Sequence, residues 1–466
     1  MMLKQISWMH ENLPYPLLKA WSLCDKSAAM TRRLAFGNGS QMKYERLLAE
    51  MERWPLHKIR EWQYSRLKRM LEHAYKNVPF YRKAWNKAGV NPSKIKCMED
   101  LRKLPIISKE EVIANGADFF SQTVSLGNVT YRATSGTSGQ SVKFYIDGEV
   151  LSSMWATYRH FSKSFGVLLG EDVTLHSPLL IPPIHLLRKD KLAFGRFSPL
   201  TRDIVFSSKD MDDETFQLYL RYIKRFDIKY IEGLPSLVYA FCLYLRDIGK
   251  RIRVKAAVLN GEMLFEHQRE LIEKMLGCEV FNRYGSCEST VVAYECQRHD
   301  GMHISPFGIV EAMDNGKGYG EVVTTNLVNY SYPLIRYALR DMVSLSDKPC
   351  KCGSGFPRIM KIEGRANDFI TLPDGSQIHP SPLAWFPVAI PEIKDIYFLQ
   401  NEDYTIDILV VRAKEIDPDK IIRSIRKRMD WLCRRKREKP RYKVTFCKEI
   451  KRRSYKYKVV ESKIKG

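Results

Sequence analysis

The stretch from Asp227 to Tyr284 falls into five segments: Asp-Ile-Lys-Tyr-Ile (227–231), Pro-Ser-Leu-Val-Tyr-Ala-Phe-Cys-Leu-Tyr-Leu (235–245), Lys-Ala-Ala-Val-Leu (255–259), Glu-His-Gln-Arg-Glu-Leu-Ile-Glu-Lys-Met-Leu (266–276) and Glu-Val-Phe-Asn-Arg-Tyr (279–284). The first, third and fifth are short apolar runs bounded by turn residues, as buried strands are. The second and fourth carry apolar residues at helical spacing. Strands alternating with helices of this length need crossover connections, which predicts a largely parallel sheet and an α/β fold class.

Outward from this stretch the texture changes on both sides. The first 120 residues read as mainly helical, with Leu67, Met70, Leu71 and Ala74 on one face and charged residues between them. Asn77-Val78-Pro79-Phe80-Tyr81 reads as a turn, and Ser108 followed by Glu110 and Glu111 as a helix start after Leu104-Pro105-Ile106-Ile107. Beyond Ile304 short strands are expected at Gly308–Met313, Gly320–Thr325 and Met342–Leu345. After Arg365 the chain looks α+β, with a helix near Lys420–Leu432. This divides it into a large unit, 1–365, and a small basic one, 366–466.

The chain has 466 residues, of which 44% are hydrophobic and 28% charged, a composition that excludes wholesale disorder. No apolar run approaches the length of a membrane span, and Leu179–Leu187 is short and broken by prolines. Charge and prolines interrupt Met1–Cys24 where a signal peptide needs an apolar core. Ten scattered cysteines do not form a secreted disulfide framework, so the protein is expected to be cytoplasmic. Lys and Arg number 76 against 53 Asp and Glu, a net charge of +23. The segment 420–466 holds 20 Lys and Arg against 4 Asp and Glu. Such a tail is either a solvated basic face or a contact for an anionic lipid surface at the inner face of the membrane or another polyanion. No zinc finger, helix-turn-helix or aromatic RNA-binding motif accompanies it, so nucleic acid is not expected.

Thr134-Ser135-Gly136-Thr137-Ser138-Gly139-Gln140-Ser141 joins two strand-like runs, Val129–Ala133 and the alternating Val142, Phe144 and Ile146. Its glycines allow a tight turn that points N–H groups at an anion, and its hydroxyls can donate to phosphate oxygens. It lacks the Gly-Lys-Ser/Thr of a Walker loop, and a polar hairpin turn is the plain alternative. Tyr284-Gly285-Ser286-Cys287-Glu288 closes a strand at its carboxyl end, where α/β proteins place ligands. Tyr284 offers a face for a purine, Glu288 an oxygen ligand for Mg²⁺, and Asp341 a carboxylate for two ribose hydroxyls. Cys296, His303, Cys350 and Cys352 make a donor set that suits tetrahedral Zn²⁺, with His299 competing for the fourth place. Four reduced side chains without metal is the other reading.

In this order the segments resemble the AMP-forming adenylate ligase superfamily, and more closely its phenylacetate–coenzyme A ligase-like branch, which includes CapK-type proteins of capsular polysaccharide loci. The helical start, Leu104-Pro105-Ile106 and Gly261-Glu262 ahead of the Tyr-Gly motif add to the resemblance. It implies a large N-terminal α/β domain and a small mobile C-terminal α+β domain. It further implies that Thr134, Ser135, Gly136, Thr137, Ser138 and Gly139 hold the ATP phosphates. Tyr284 and Gly285 would cradle adenine, Asp341 the ribose, and Arg336, Arg365, Gly261 and Glu262 would lie near the nucleotide. Glu288 would hold Mg²⁺, and Lys456 would stabilise charge as a carboxylic acid attacks the α-phosphate. Some relatives of this branch hold a zinc site. Trp155, His160 and Tyr230 are candidates for the acid pocket.

The implied reaction is carboxylate plus ATP to acyl-adenylate and pyrophosphate, with acyl transfer to coenzyme A or to an amine or hydroxyl of a sugar precursor. Ser138, Ser141, Cys287, Arg340, Asn367 and Tyr455 depart from the pattern, which has Thr, Pro, Thr, Gly, Asp and Gly there. The alternative that Arg340 and Tyr455 favour is a non-catalytic nucleotide-binding relative that docks on a membrane surface or polyanion through its basic tail.

Overall fold

The computed structural model describes residues 39–464 except 125–128, 134–141, 170–173, 177–194, 199–202, 207–212, 315–317, 366–368, 379, 385, 414–416, 434–436 and 451–457. Helices α1 (Gly39–Met51), α2 (Leu56–Asn77) and α3 (Pro79–Lys87) open the described chain. α2 buries Ile59, Leu67, Met70, Leu71 and Ala74 on one face, as the apolar spacing predicts. The expected turn at Asn77–Tyr81 is only one residue deep. Val78 is extended, and Pro79 starts the next helix at the position where a missing N–H costs nothing. α4 (Lys109–Ala114) begins with a full capping box between Ser108 and Glu111.

A hairpin, β1 (Thr130–Ala133) and β2 (Lys143–Ile146), leads into α5 (Gly148–Ser164). The main sheet then collects β3 (Thr174–His176), β4 (Gly195–Ser198), β5 (Asp203–Phe206), β6 (Tyr230–Gly233), β7 (Ala256–Asn260) and β8 (Glu279–Gly285). Helices α6 (Asp213–Arg225), α7 (Pro235–Asp247) and α8 (Glu266–Leu276) make the crossovers. It continues through β9 (Val292–Glu295), β10 (Met302–Ile304), β11 (Gly308–Asp314), β12 (Gly320–Asn326), β13 (Tyr337–Ser346) and β14 (Arg358–Arg365). The order is β11-β12-β13-β14-β10-β9-β8-β7-β6-β3-β5-β4.

Within this sheet parallel pairing is confined to β5, β3, β6, β7 and β8. The strands of 227–284 pair parallel as expected, within a sheet that is mixed as a whole. Downstream of β8 the strands follow one another without crossover helices and pair antiparallel. The first expected strand, Asp227–Ile231, is displaced to Tyr230–Gly233, because Asp227 takes a left-handed turn conformation, φ 47°. β7 is buried along its whole length, which explains why its sequence shows no alternation.

After a short hairpin, β15 (Ile370–Thr371) and β16 (Gln377–Ile378), and two brief helices, α9 (Pro380–Ala384) and α10 (Phe386–Ala389), a second sheet forms. It comprises β17 (Ile393–Gln400), β18 (Ile406–Arg412), β19 (Tyr442–Phe446) and β20 (Val460–Ser462) in the order β19-β18-β17-β20. α11 (Pro418–Leu432) turns Ile421, Ile425 and Met429 into its core, which also takes Met263 and Phe265 from the loop after β7. Among the described residues no helix is long and apolar enough to cross a membrane.

Tyr81 ties the helical segment to the main sheet. Its buried hydroxyl donates to Pro333 O at 2.9 Å and accepts from Ile335 N at 2.8 Å. Tyr81→Phe leaves both backbone groups unpaired and is expected to cost about 1–3 kcal/mol, read as a lower urea midpoint at unchanged m-value.

Candidate functional site

The carboxyl ends of β7 and β8 carry Gly261 and Gly285, the one just past its strand and the other its last residue. Tyr284, one residue earlier, donates its hydroxyl to Asp341 Oδ2 at 2.7 Å. The following turn brings the Glu288 carboxylate to the buried hydroxyl of Tyr337, which donates to it. Burial, then the charge of Glu288, raises the Tyr337 hydroxyl well above its ordinary value, so it stays protonated as a donor. Tyr284 and Glu288 thus each bond a residue of β13, Asp341 and Tyr337 respectively. Tyr337 is the member that sequence reasoning missed; the signal was its place in Arg336-Tyr337-Ala338-Leu339-Arg340-Asp341, four residues before Asp341.

Other expected residues lie around this group. Glu262 Oε2 accepts from Ser236 N at 3.0 Å, which satisfies a donor in the first turn of α7. Asp341 faces Arg365 across the β13–β14 pair. The side chain of Arg365 lies outside the described residues, as do Lys456, Asn367, Tyr455 and the whole loop from Thr134, Ser135, Gly136, Thr137, Ser138 and Gly139 to Ser141. The hairpin that carries the loop is described: Ala133 pairs with Lys143, and the Phe144 ring packs 5.7 Å from Tyr337. The root of the glycine-rich loop therefore stands beside the strand that bears Asp341.

Arg336, expected beside the nucleotide, is 2% exposed and committed to the fold. Its guanidinium pairs with Glu311 through Nε at 3.1 Å and Nη2 at 3.2 Å. Nη1 donates to the carbonyls of Arg102 and Leu104. The physical reason is local. Arg336 stands just before β13 in a left-handed conformation, φ 54°, so its side chain leaves the chain in another direction from that of Tyr337, the first residue of the strand.

Arg340 occupies a left-handed position, φ 63°, the conformation that favours glycine. Its side chain reaches back to α4 and donates to both carboxylate oxygens of Glu110 at 2.8 Å. Both partners are more than half exposed, so the pair itself is worth little.

The cysteine and histidine donors converge on the other side of the β9–β10 hairpin. Single donor atoms of Cys296, His303, Cys350 and Cys352 lie within 4.8 Å of one another. Cys296 Sγ is 3.7 Å from Cys350 Sγ, and Cys352 Sγ is 3.5 Å from His303 Nε2. The Cys350–Gly353 turn closes through Gly353 N to Cys350 O at 2.9 Å, with Gly353 at φ 90°. Burial pushes the Cys352 thiol up to about 12 and raises that of Cys296. Burial, helped by the Arg358 charge, holds His303 down at about 4, which keeps its imidazole neutral, the ligand form. His303 Nδ1 is buried with no hydrogen-bond partner among the described residues. Three crowded thiols, of which Cys296 and Cys350 are buried and Cys352 is exposed, and a neutral imidazole fit a cation, which would draw the thiols into their anionic form. His299, the competing donor, bonds Glu295 at 3.3 Å and stacks on Phe281, outside this group. The described cysteines are all free thiols.

Of the three acid-pocket candidates, His160 Nε2 lies 3.4 Å from Glu52 Oε2. Trp155 meets Tyr158 edge-on, and Tyr230 donates to Glu232 at 3.2 Å.

The left-handed backbone at Arg340 yields a stability test. Arg340→Gly and Arg340→Ala both remove the pair with Glu110, but only Ala retains the clash of a Cβ at φ 63°. The glycine variant is expected to be the more stable by about 1 kcal/mol in denaturant titration, and equal stabilities would show that the turn relaxes without cost.

No family model matches the chain. Protein CapK of Staphylococcus aureus is 22% identical over 371 residues, covering 78% of this chain and 81% of that protein. Phenylacetate–coenzyme A ligase of Thermus thermophilus is 26% identical over 399 residues, covering 79% and 84%. Among solved structures, 2-hydroxyisobutyryl-CoA ligase in its postadenylation state superposes with a TM-score of 0.70 at 17% identity, covering 89% of this chain and 91% of that one. The chain is thus a sequence relative of CapK and the phenylacetate–coenzyme A ligases, folded as an adenylate-forming ligase.

Proposed function

We propose that the protein is an AMP-forming acid ligase, which joins a carboxylic acid to AMP with release of pyrophosphate and passes the acyl group to coenzyme A. The observation that carries this is the Tyr284–Asp341 hydrogen bond beside the Glu288–Tyr337 pair at the carboxyl end of β8. An aromatic face next to a carboxylate suits adenosine, with the purine on Tyr284 and Gly285 and the ribose hydroxyls on Asp341. Glu288 has the hard oxygen donors that Mg²⁺ takes, and Tyr337 orients them. Thr134 to Gly139 would receive the β- and γ-phosphates, with Gly261, Glu262 and Arg365 on the rim. Lys456 would supply the cation at the forming acyl–phosphate bond.

Residues 366–466 act in this reading as a lid on the body formed by 1–365. A sugar-precursor amine or hydroxyl is the second acceptor in this reading, as the resemblance to CapK-type proteins of capsular polysaccharide loci implies. The exposed face of α11, with Lys420, Arg423, Arg426 and Lys427, supports a contact with anionic lipid at the inner membrane face of a cytoplasmic protein.

Cys296, His303, Cys350 and Cys352 would hold one Zn²⁺ that cross-links the β9–β10 hairpin to the loop after β13, a structural role. Elemental analysis is expected to find about one zinc per chain, lost in Cys350→Ser and His303→Ala and kept in His299→Ala. Chelation should lower the melting temperature. Metal-free protein of full stability would remove the site.

Exchange of labelled pyrophosphate into ATP, across a panel of carboxylic acids, tests the reaction itself. Lys456→Ala is expected to slow acid-dependent exchange by about 10²-fold or more with ATP affinity little changed, because a donor used in the transition state contributes little to ground-state binding. Lys458→Ala should have a minor effect. Equal losses in both variants would reduce the role of Lys456 to diffuse attraction. ATP binding without exchange for any acid would favour the non-catalytic relative, the reading to which Arg340 and Tyr455 point.

A further inference from the structure

The residue before Tyr284 turns to the opposite face of β8, and there it enters a buried polar cluster that the adenylation reading does not use. Arg283 Nη2 pairs with Glu232 Oε1, and Nη1 donates to Tyr294 Oη at 3.0 Å. Its guanidinium lies 4.7 Å from the centre of the Tyr158 ring, which α5 lowers onto it. Glu232 also accepts from Tyr230 Oη at 3.2 Å and Asn260 Nδ2 at 3.4 Å. The Arg283 and Glu232 side chains keep only 12% and 6% of their exposure.

Position makes this cluster informative. Glu232, Asn260 and Arg283 stand at the carboxyl ends of three adjacent parallel strands, with Asn260 and Arg283 in direct register. That edge is where open α/β sheets bind ligands. The rest of this layer is apolar, built from Ala256, Val258, Phe281, Phe165 and Tyr294. An isosteric apolar pair in such a layer is ordinarily as stable as a buried ion pair or more so, so stability alone does not call for Arg283 and Glu232. Glu232 neutralises the guanidinium, which makes it a directed donor more than a bare cation. The two contacts to Glu232 and Tyr294 use two of its five N–H groups.

We propose that Arg283, held by Glu232 and Tyr294 and roofed by Tyr158, determines specificity in the acid site, and that the acid it selects carries a hydroxyl or carbonyl oxygen beyond its reacting carboxylate. The inference rests on the adenylation reading and deepens it. A hydrocarbon acyl group placed there gains no hydrogen bond and covers donors that then lack one. Sites built to bond a substrate oxygen reject the analogue without it far more strongly than apolar pockets reject an added methylene.

The test compares acids that differ by one oxygen, 4-hydroxyphenylacetate against phenylacetate and 5-oxohexanoate against hexanoate, in pyrophosphate exchange with the full chain. At least one oxygenated acid is expected to exceed its partner by about 10²-fold or more in kcat/KM. In the double variant Arg283→Leu/Glu232→Leu that ratio should fall below about 10. Arg283→Lys, which keeps the charge but not the planar fork, should give an intermediate ratio. A parent ratio near one for both pairs, or a ratio unmoved in a folded double variant, overturns the proposal. Binding of the matching acyl-sulfamoyl adenosines to the parent protein reads the same preference without turnover and without variants. Equal affinity within each pair overturns the proposal while leaving the adenylation reading intact. If no acid supports exchange and no analogue binds, the adenylation reading fails and this proposal falls with it.

Discussion

The buried Arg336–Glu311 pair is the contact through which the helical start of the chain holds the strand of the candidate site. Its guanidinium reaches the carbonyls of Arg102 and Leu104, and so clamps the segment that leads to Ile107. Ile107 then pairs with β13 on both sides, its N–H donating to Arg336 O at 2.8 Å and its carbonyl accepting from Ala338 N at 3.0 Å. Tyr337 sits between those two bonds. That short pairing fixes the backbone of Tyr337, whose hydroxyl donates to Glu288, at the start of the strand that sets Asp341 against Arg365. A pair this deeply buried holds only as a pair, since either charge left alone in the interior costs about 3–5 kcal/mol.

The two faces of β8 divide the chemistry. Tyr284 turns toward Asp341 and the strands on that side, while Arg283 turns beneath α5 toward Glu232 and Tyr294. A single step along an extended chain therefore separates the side proposed for a nucleotide from the side proposed for an oxygen-bearing acid. Both residues lie within two positions of Gly285, at the carboxyl end of β8. The cysteine and histidine donors brace the next hairpin in the same sheet, and Glu295 ties that hairpin to α8 through Arg269 at 2.9 Å.

The second sheet has its own apolar core, yet Met263 and Phe265 from the loop after Gly261 and Glu262 pack into it. The loop thus links the carboxyl end of β7 to the unit that carries the basic end of the chain. Any rotation of that unit has to release Phe265, which is 8% exposed where it packs.

Much of this was legible in the sequence. The helical face of α2, the capping box at Ser108, helix Glu266–Leu276 and the strands from Gly308 onward follow from spacing and local chemistry within a few residues. The residue types at 284–288 and 341, and four metal-type donors, also stood in the sequence, and the fold brings each set together. Tertiary structure alone decided how those residues are used. It made the sheet mixed and placed Arg336 under the site as a brace. It also hid Arg283 and Glu232 as partners fifty-one positions apart. Local propensity is set by neighbours within a turn or two of chain, and a sequence records it directly. Which face a side chain takes, and which distant charge meets it, depends on strand order and register, and those are fixed only when the whole sheet has formed.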